Sequence, residues 1–529
     1  MSARAAVAEI MQAIAAEIEA GSRPDAAALE VVTLFAAHGA TPDIATAFFT
    51  EARRKIMNTT LVEAAGFMLQ EALTELRVAA NSGDPRAPRA LQQAVDAVLR
   101  LLSRGPLPPV ATTLLVRCFT LAQLVLPEAL CEAMDQAAIE GADDQPVTGD
   151  ANPTRHLKEV AAMLDHDPFA IHCEMILTAA AIPPEQRAAM AGVLAGAAEP
   201  SLRAAAVGFA FAPEPAATGF ALAAIAEQGR LAPGDPAARW LRLARPWFAA
   251  NRHRAIDAAI DALGAPEPAS PPPERTKLLA TITDGAGATS LFAVFKVGRK
   301  FRLAGLLLKR DTGVFDVWLQ DGVSKAESNS LLRKIQQAID PRPISTVLAG
   351  RILADALAVN VARDAPPPFE LLRIMELLGI ETLVPYAPST DSLIAEVLMG
   401  LPAARTGSEA VSSAHLFSAD WADQIGTMDS WFEAGAEVHG KLRPLRTAAR
   451  RFDYIMTTLL PGRRAIWARN CAWAAMILRD ECACTAGRHD KTWVDMGLVA
   501  RDLAGDRPLS EIPLALQIAG ATLQAFNAG

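Results

Sequence analysis

At 529 residues the chain is long for a single hydrophobic core and predicts roughly two to four domains or an elongated repeat array. Hydrophobic residues make up 51% and charged ones 21%, which excludes a mainly disordered chain. A net charge of -9 argues against a surface that binds polyanions everywhere and leaves that role to local patches.

The opening MSARAAVAEIMQAIAAEIEA carries Glu9, Glu17 and Glu19 in an amphipathic helical pattern, so it lacks the uncharged core of a secretory signal. Residues 1–140 read as successive Ala-rich helices broken at Gly21-Ser22, Gly39, 81–85 and Gly105-Pro106. The most apolar window, 110–130, is interrupted by Arg117, Gln123 and Pro127 and predicts a buried helix pair, not a membrane span. Six cysteines in so long a chain make no disulfide framework, which points to the cytoplasm. Arginine outnumbers lysine 40 to 10, a bias that suits a GC-rich bacterial genome better than any partner. The polar, turn-rich stretch 141–153 is the first predicted boundary.

From Asp167 onward, prolines recur at predicted helix starts: Pro168, Pro184, Pro200, Pro215 and Pro236. Proline is tolerated there because its missing N–H would be unpaired anyway. An adjacent acid (Asp167, Glu199, Glu214, Asp235) is expected to cap the free N–H groups. Two such helices make a unit of about 32 residues, within the range of α-solenoid repeats. The segment 199–228, with Pro200, Arg203 and Ala206 early in its first helix, resembles a HEAT-type repeat. The resemblance spans about 167–260 and implies a curved stack of helix pairs; it implies no chemistry.

The Pro-rich stretch 264–273 reads as a linker. Beyond it SLFAVFKV, KFRLAGLLLK and VFDVWLQ, rich in β-branched and aromatic residues, are separated by Gly298-Arg299 and Asp311-Thr312-Gly313. They predict a three-stranded antiparallel meander over 290–320. Ser324 and Glu327 then form a capping box that opens a helix. Six of the ten lysines lie between Lys277 and Lys334, which marks a separate module. Helices resume after Asp340-Pro341. The fold class is therefore mainly α, with HEAT-like segments and one small β-meander. The expected domains are 1–140, 154–263, 274–340 and 341–529.

Candidate chemistry is sparse. His156, His166, Asp167, His172, Cys173 and Glu174 suggest a metal-dependent phosphohydrolase, but the further acid and helical frame of that chemistry are missing, and Asp167 reads more simply as a helix cap. Cys471, Cys482, Cys484 and His489 invite a zinc reading. In one helix, however, Cys471 and Cys482 would stand about 16 Å apart, and Cys482 and Cys484 would diverge by about 200°. Asp284–Thr289 (DGAGAT) has two glycines of a phosphate loop but precedes a strand-like run and reads as a hairpin turn. No cofactor and no metal are expected. The features that stand out are basic. Arg443, Arg446 and Arg450 fall on the exposed side of a predicted helix whose stripe is Leu442, Leu445, Ala449, Phe452, Met456 and Leu459. Lys296, Arg299, Lys300, Arg302, Lys309 and Arg310 decorate the β-module with no acid over 285–310. Either cluster suits phosphates.

These observations give three expectations. The first is a non-catalytic scaffold or adaptor that binds another protein. The second is a nucleic-acid-associated protein using the Arg/Lys clusters, and the third an enzyme with its site at a domain junction. No membrane association is expected.

Overall fold

Proline fixes many helix starts, because a first-turn residue needs no N–H. Helices Pro109–Leu121, Pro153–Met163, Pro168–Ala179, Pro184–Ala195, Pro200–Ala206, Pro215–Gln228 and Pro513–Ala528 all open on it, and Pro236 precedes Ala237–Ala244. Of the acids beside these prolines, Glu214 and Asp235 lie outside the described residues, and the other two differ. Asp167 Oδ1 accepts the Phe169 N–H at 3.0 Å, whereas Glu199 makes no side-chain cap bond. The extra methylene of glutamate carries its carboxylate past the first-turn donors, so the expected cap fails there.

The computed structural model describes residues 3–20, 24, 26–81, 86–122, 124–133, 153–179, 184–212, 215–228, 236–265, 271–485 and 491–528. The expected boundary at 141–153 falls almost wholly outside these residues, and the linker at 264–273 falls partly outside. The protein is mainly helical with one small antiparallel sheet. Among the described residues no helix is long and apolar enough to cross a membrane. The chain divides into two compact units, Met1–Met190 and Ala191–Gly529.

In the first unit, α1 (Ala3–Glu19), α2 (Ala26–Ala37), α3 (Thr41–Ala52), α5 (Ala87–Leu102) and α6 (Pro109–Leu121) pack around α4 (Thr59–Asn81). Ile14, Phe48, Met68, Leu73, Val98 and Phe119 form the middle of its core. α2 ends at Gly39, whose φ of +74° lets the Ala40 N–H return to Phe35 O at 2.9 Å. Cys118 donates to Gly66 O at 3.1 Å. Burial pushes its thiol up to about 12, so it serves as a small core residue.

In the second unit the helical stretch 200–263 is irregular. Pro200–Ala206 runs on as a 3-10 turn, Val207–Phe211, and Pro215–Gln228 packs on Ala250–Leu263. The sheet that follows has the order β4-β3-β2-β1-β5, from β1 (Glu274–Ala280), β2 (Ala288–Val297), β3 (Lys300–Lys309), β4 (Gly313–Val323) and β5 (Arg342–Pro343). β2, β3 and β4 are the predicted meander. The expectation of three strands omitted β1 and the two-residue β5. β1 reads ERTKLLA, with a charged first half and no β-branched residue but Thr276; it becomes a strand by pairing with β2.

The sheet is covered on both faces. Leu279, Phe292, Val294, Leu303 and Val323 meet Leu332 of α7 (Lys325–Ile339) on one face. α7 opens on the Ser324–Glu327 capping box. α8 (Thr346–Ala362) packs on β3 and β4 from the other face. Its Asn360 donates to Thr312 O and Ala365 O and accepts the Val314 N–H at 2.8 Å, tying the β3–β4 hairpin to the helix. The chain then builds the helices around α9 (Leu460–Cys484) and α10 (Thr492–Ala504).

Candidate functional site

Strand alternation places Lys277, Lys296 and Phe301 on the sheet face that carries α7, since Lys277 pairs with Val294 and Lys296 with Phe301. α7 covers that face only in part. The uncovered end, at the Gly298-Arg299 turn, is a groove of about 550 Å³. Val294 and Leu332, both buried, and the half-buried Phe301 form its floor. Lys277, Lys296, Arg299 and Lys325 stand around it, all exposed. Thr276, Ser328 and Asn329 complete the wall.

The local fold sets the backbone positions from which these cations reach the groove. Gly298 takes φ +61° at the first position of a two-residue hairpin loop, and this sends Arg299 out at the tip. The capping box fixes the start of α7 and thereby Lys325. Lys296 lies 3.2 Å from Glu274, an exposed pair that contributes little and can be exchanged for another anion. Lys300 acts electrostatically on Glu327, whose carboxyl is held below its usual range first by its bond to Ser324. Apolar floor and cationic rim together suit a ligand that is itself part apolar and part anionic.

The candidate residues of the β-module thus divide. Lys296 and Arg299 line the groove; Lys300 stands beside it. Arg302 faces the opposite side, bonded to Asp321, which Arg373 also reaches at 2.8 Å. Lys309 lies over the Phe315 ring at 4.4 Å, and Arg310 lies 3.8 Å from Asp311. Lys277 and Lys325 were missed as site residues, although the lysine clustering in 277–334 was visible.

The expected continuous basic helix is corrected. Ala436–Leu442 ends before Pro444, and a new helix, Ala448–Tyr454, starts with Thr447 as cap and leads through a π-turn, Ile455–Leu459, into α9. Proline lacks the donor and clashes with the preceding turn, so the helix cannot run on. Arg443, Arg446 and Arg450 are exposed, but on a turn, a loop and a second helix, and Ala449 of the expected stripe is exposed too. None of the three lines the groove. Other arginines of the run are structural. Arg463 lies 3.6 Å from Glu433, Arg469 pairs with Asp355, and Arg464 donates to three backbone carbonyls.

Elsewhere, Cys482 and Cys484 both lie within α9, and His489 lies outside the described residues. Cys471 is buried and its thiol pushed far up by burial. Glu174 lies 3.5 Å from Arg117, and the side chain of His156 is outside the described residues. Among the described residues no three His, Cys, Asp or Glu side chains gather as metal ligands. Asp284–Gly287 is a turn that leads into β2, where Asp284 Oδ1 accepts the Ala288 N–H at 2.7 Å.

Residues 391–527 match the family model of the Y4lR C-terminal helical domain, and residues 183–265 match the Y4lR second domain. The chain is 27% identical over 302 residues to the uncharacterized protein y4lR of Sinorhizobium fredii (strain NBRC 101917 / NGR234), covering 54% of this chain and 55% of that protein. The chain thus spans about half the length of the curated relative it matches. No solved structure matches. The groove lies between the two matched segments, so these likenesses assign it no role.

Proposed function

We propose that the protein is an interaction protein whose helical framework, including the HEAT-like stretch 167–260, carries the β-module as a docking site for an acidic amphipathic segment of a partner protein. The observation that supports this reading is the ring of Lys277, Lys296, Arg299 and Lys325 around the apolar floor of Val294, Phe301 and Leu332. Apolar side chains of the partner enter the floor, and its carboxylates meet the rim, which sets orientation and speeds encounter. A nucleic acid is the second reading, favoured by Phe301, whose ring beside cations is a stacking surface for a base.

Fluorescence anisotropy separates the two. A short peptide alternating Glu with Leu and Phe is expected to bind the full chain and to lose about tenfold or more affinity in the Lys277→Glu/Lys296→Glu/Arg299→Glu variant. Salt-sensitive binding of a single-stranded oligonucleotide in preference to the peptide would replace this reading with the second. Binding of neither probe would remove both.

A further inference from the structure

The opposite face of the sheet borders a second, half-open cavity, of about 190 Å³, lined by Thr283, Gly287 and the start of β2, the end of β3, α8 and α9. Ile352 and Val359 of α8 and Trp473 and Ile477 of α9 give it an apolar wall. Its polar groups are unevenly served. Asp355 is balanced, with Arg469 at 2.5 Å on one oxygen and the Trp473 indole N–H at 3.1 Å on the other. Arg469 also donates to Pro388 O at 2.6 Å.

Asn470 is different. Only 4% of it is exposed, it lines the cavity, and among the described residues its Nδ2 has no hydrogen-bond partner. A buried donor left unmade is costly, so its presence in a packed helix calls for a partner from outside the chain. Its terminal torsion is soft, so the amide can turn its N–H groups to the cavity. Arg310 also lines the cavity, its Nε 3.8 Å from Asp311, whose side chain is 81% exposed and screened by water. Glu433 also feels the Arg310 charge, but it is engaged by the Trp467 indole at 2.9 Å.

Charge and size then limit the ligand. Among the lining residues Arg469 is matched by Asp355, whereas Arg310 meets only the exposed Asp311, which favours an anion beside Arg310. A sealed cavity of about 150 Å³ takes a benzene-sized molecule, so this half-open one of about 190 Å³ admits a body of at least that size. The apolar wall would leave half of an inorganic phosphate unsatisfied. We infer that the cavity is a binding site for a small amphipathic carboxylate, its carboxylate held by Arg310 and the Asn470 amide and its hydrocarbon body against Ile352, Trp473 and Ile477.

The test is isothermal titration calorimetry and thermal melting of the full chain with 3-methylbutanoate, with the neutral 3-methylbutanamide as control. Saturable binding of the acid with a rise in Tm, absent with the amide, is expected. Arg310→Gln should weaken binding by about tenfold or more, the loss of one charge-assisted contact. Asn470→Leu should abolish binding while melting no lower than the unmodified protein, because the orphan donor is gone. A merely structural asparagine would instead lower Tm when replaced. No saturable binding, equal binding of the amide, or binding unchanged in both variants would overturn the assignment.

Discussion

Gly313 lies against Asn360 so closely that any Cβ at position 313 would overlap the Asn360 side-chain oxygen and come within 2.6 Å of the Ala356 carbonyl. Its φ of +87° is also one that side-chain-bearing residues rarely adopt. Gly313→Ala is therefore expected to cost about 2–4 kcal/mol, from strain and overpacking together. Chemical denaturation should show a lowered midpoint with an unchanged slope. A midpoint within error of the unmodified protein would show that hairpin and helix do not meet as described.

Arg464 stabilises a helix end. Its Nε reaches Leu503 O at 2.6 Å, and its Nη2 reaches Asp502 O at 2.8 Å and Arg507 O at 2.6 Å, where α10 runs out of intrahelical donors. Arg464→Lys should lose about 1–3 kcal/mol, since an ammonium cannot span three carbonyls in the guanidinium's plane. Arg443→Glu, in the same basic run but exposed, should shift Tm by far less. Equal losses would contradict the division of that run into structural and surface arginines.

The Asp355–Arg469 pair makes a prediction of opposite character. Burial raises the Asp355 carboxyl above its usual range despite Arg469 and Trp473, so desolvation outweighs the attraction. Asp355→Asn should destabilise by about 2 kcal/mol by stranding Arg469. Asp355→Leu combined with Arg469→Met should recover most of that loss, because neither charge is then left alone. A double variant less stable than the single one would show that the pair is net stabilising.

Glu370 provides a pH test. Burial, with Asp316 nearby, raises its carboxyl above the ordinary value. The folded chain therefore holds this proton to a higher pH than the unfolded chain does, and its contribution to stability falls as pH rises through that window. Glu370→Gln should stabilise the protein at pH 7–8, and the gain should shrink as pH is lowered toward the ordinary carboxylate range. A gain independent of pH would show that the charge of Glu370 plays no part.

Local signals were legible in the sequence where one short segment decides the outcome. The strands β2, β3 and β4, the Ser324–Glu327 box and the proline-led helices are cases of this kind. What was not legible depends on distant partners. β1 has weak strand propensity and exists because β2 presents an edge to it. Arg302 belongs to the cationic run in sequence, but strand alternation turns it away from Lys296 and toward Asp321. Lys277 and Lys325 stand 48 positions apart and meet only because α7 folds back over the sheet. The break in the basic run, by contrast, has a local cause, Pro444, which separates Ala436–Leu442 from Ala448–Tyr454.

The groove is the central claim, and a cross-link tests it most directly. Asn329, exposed on its wall, can be replaced in the full chain by the photoreactive p-benzoylphenylalanine. With the acidic amphipathic peptide present, illumination is predicted to join the peptide to position 329. An excess of oligonucleotide should leave the yield unchanged, and Lys277→Glu/Lys296→Glu/Arg299→Glu should abolish it. A cross-link of undiminished yield in the charge-reversed protein, or none in the unmodified one, would contradict the assignment of this groove to an acidic protein segment.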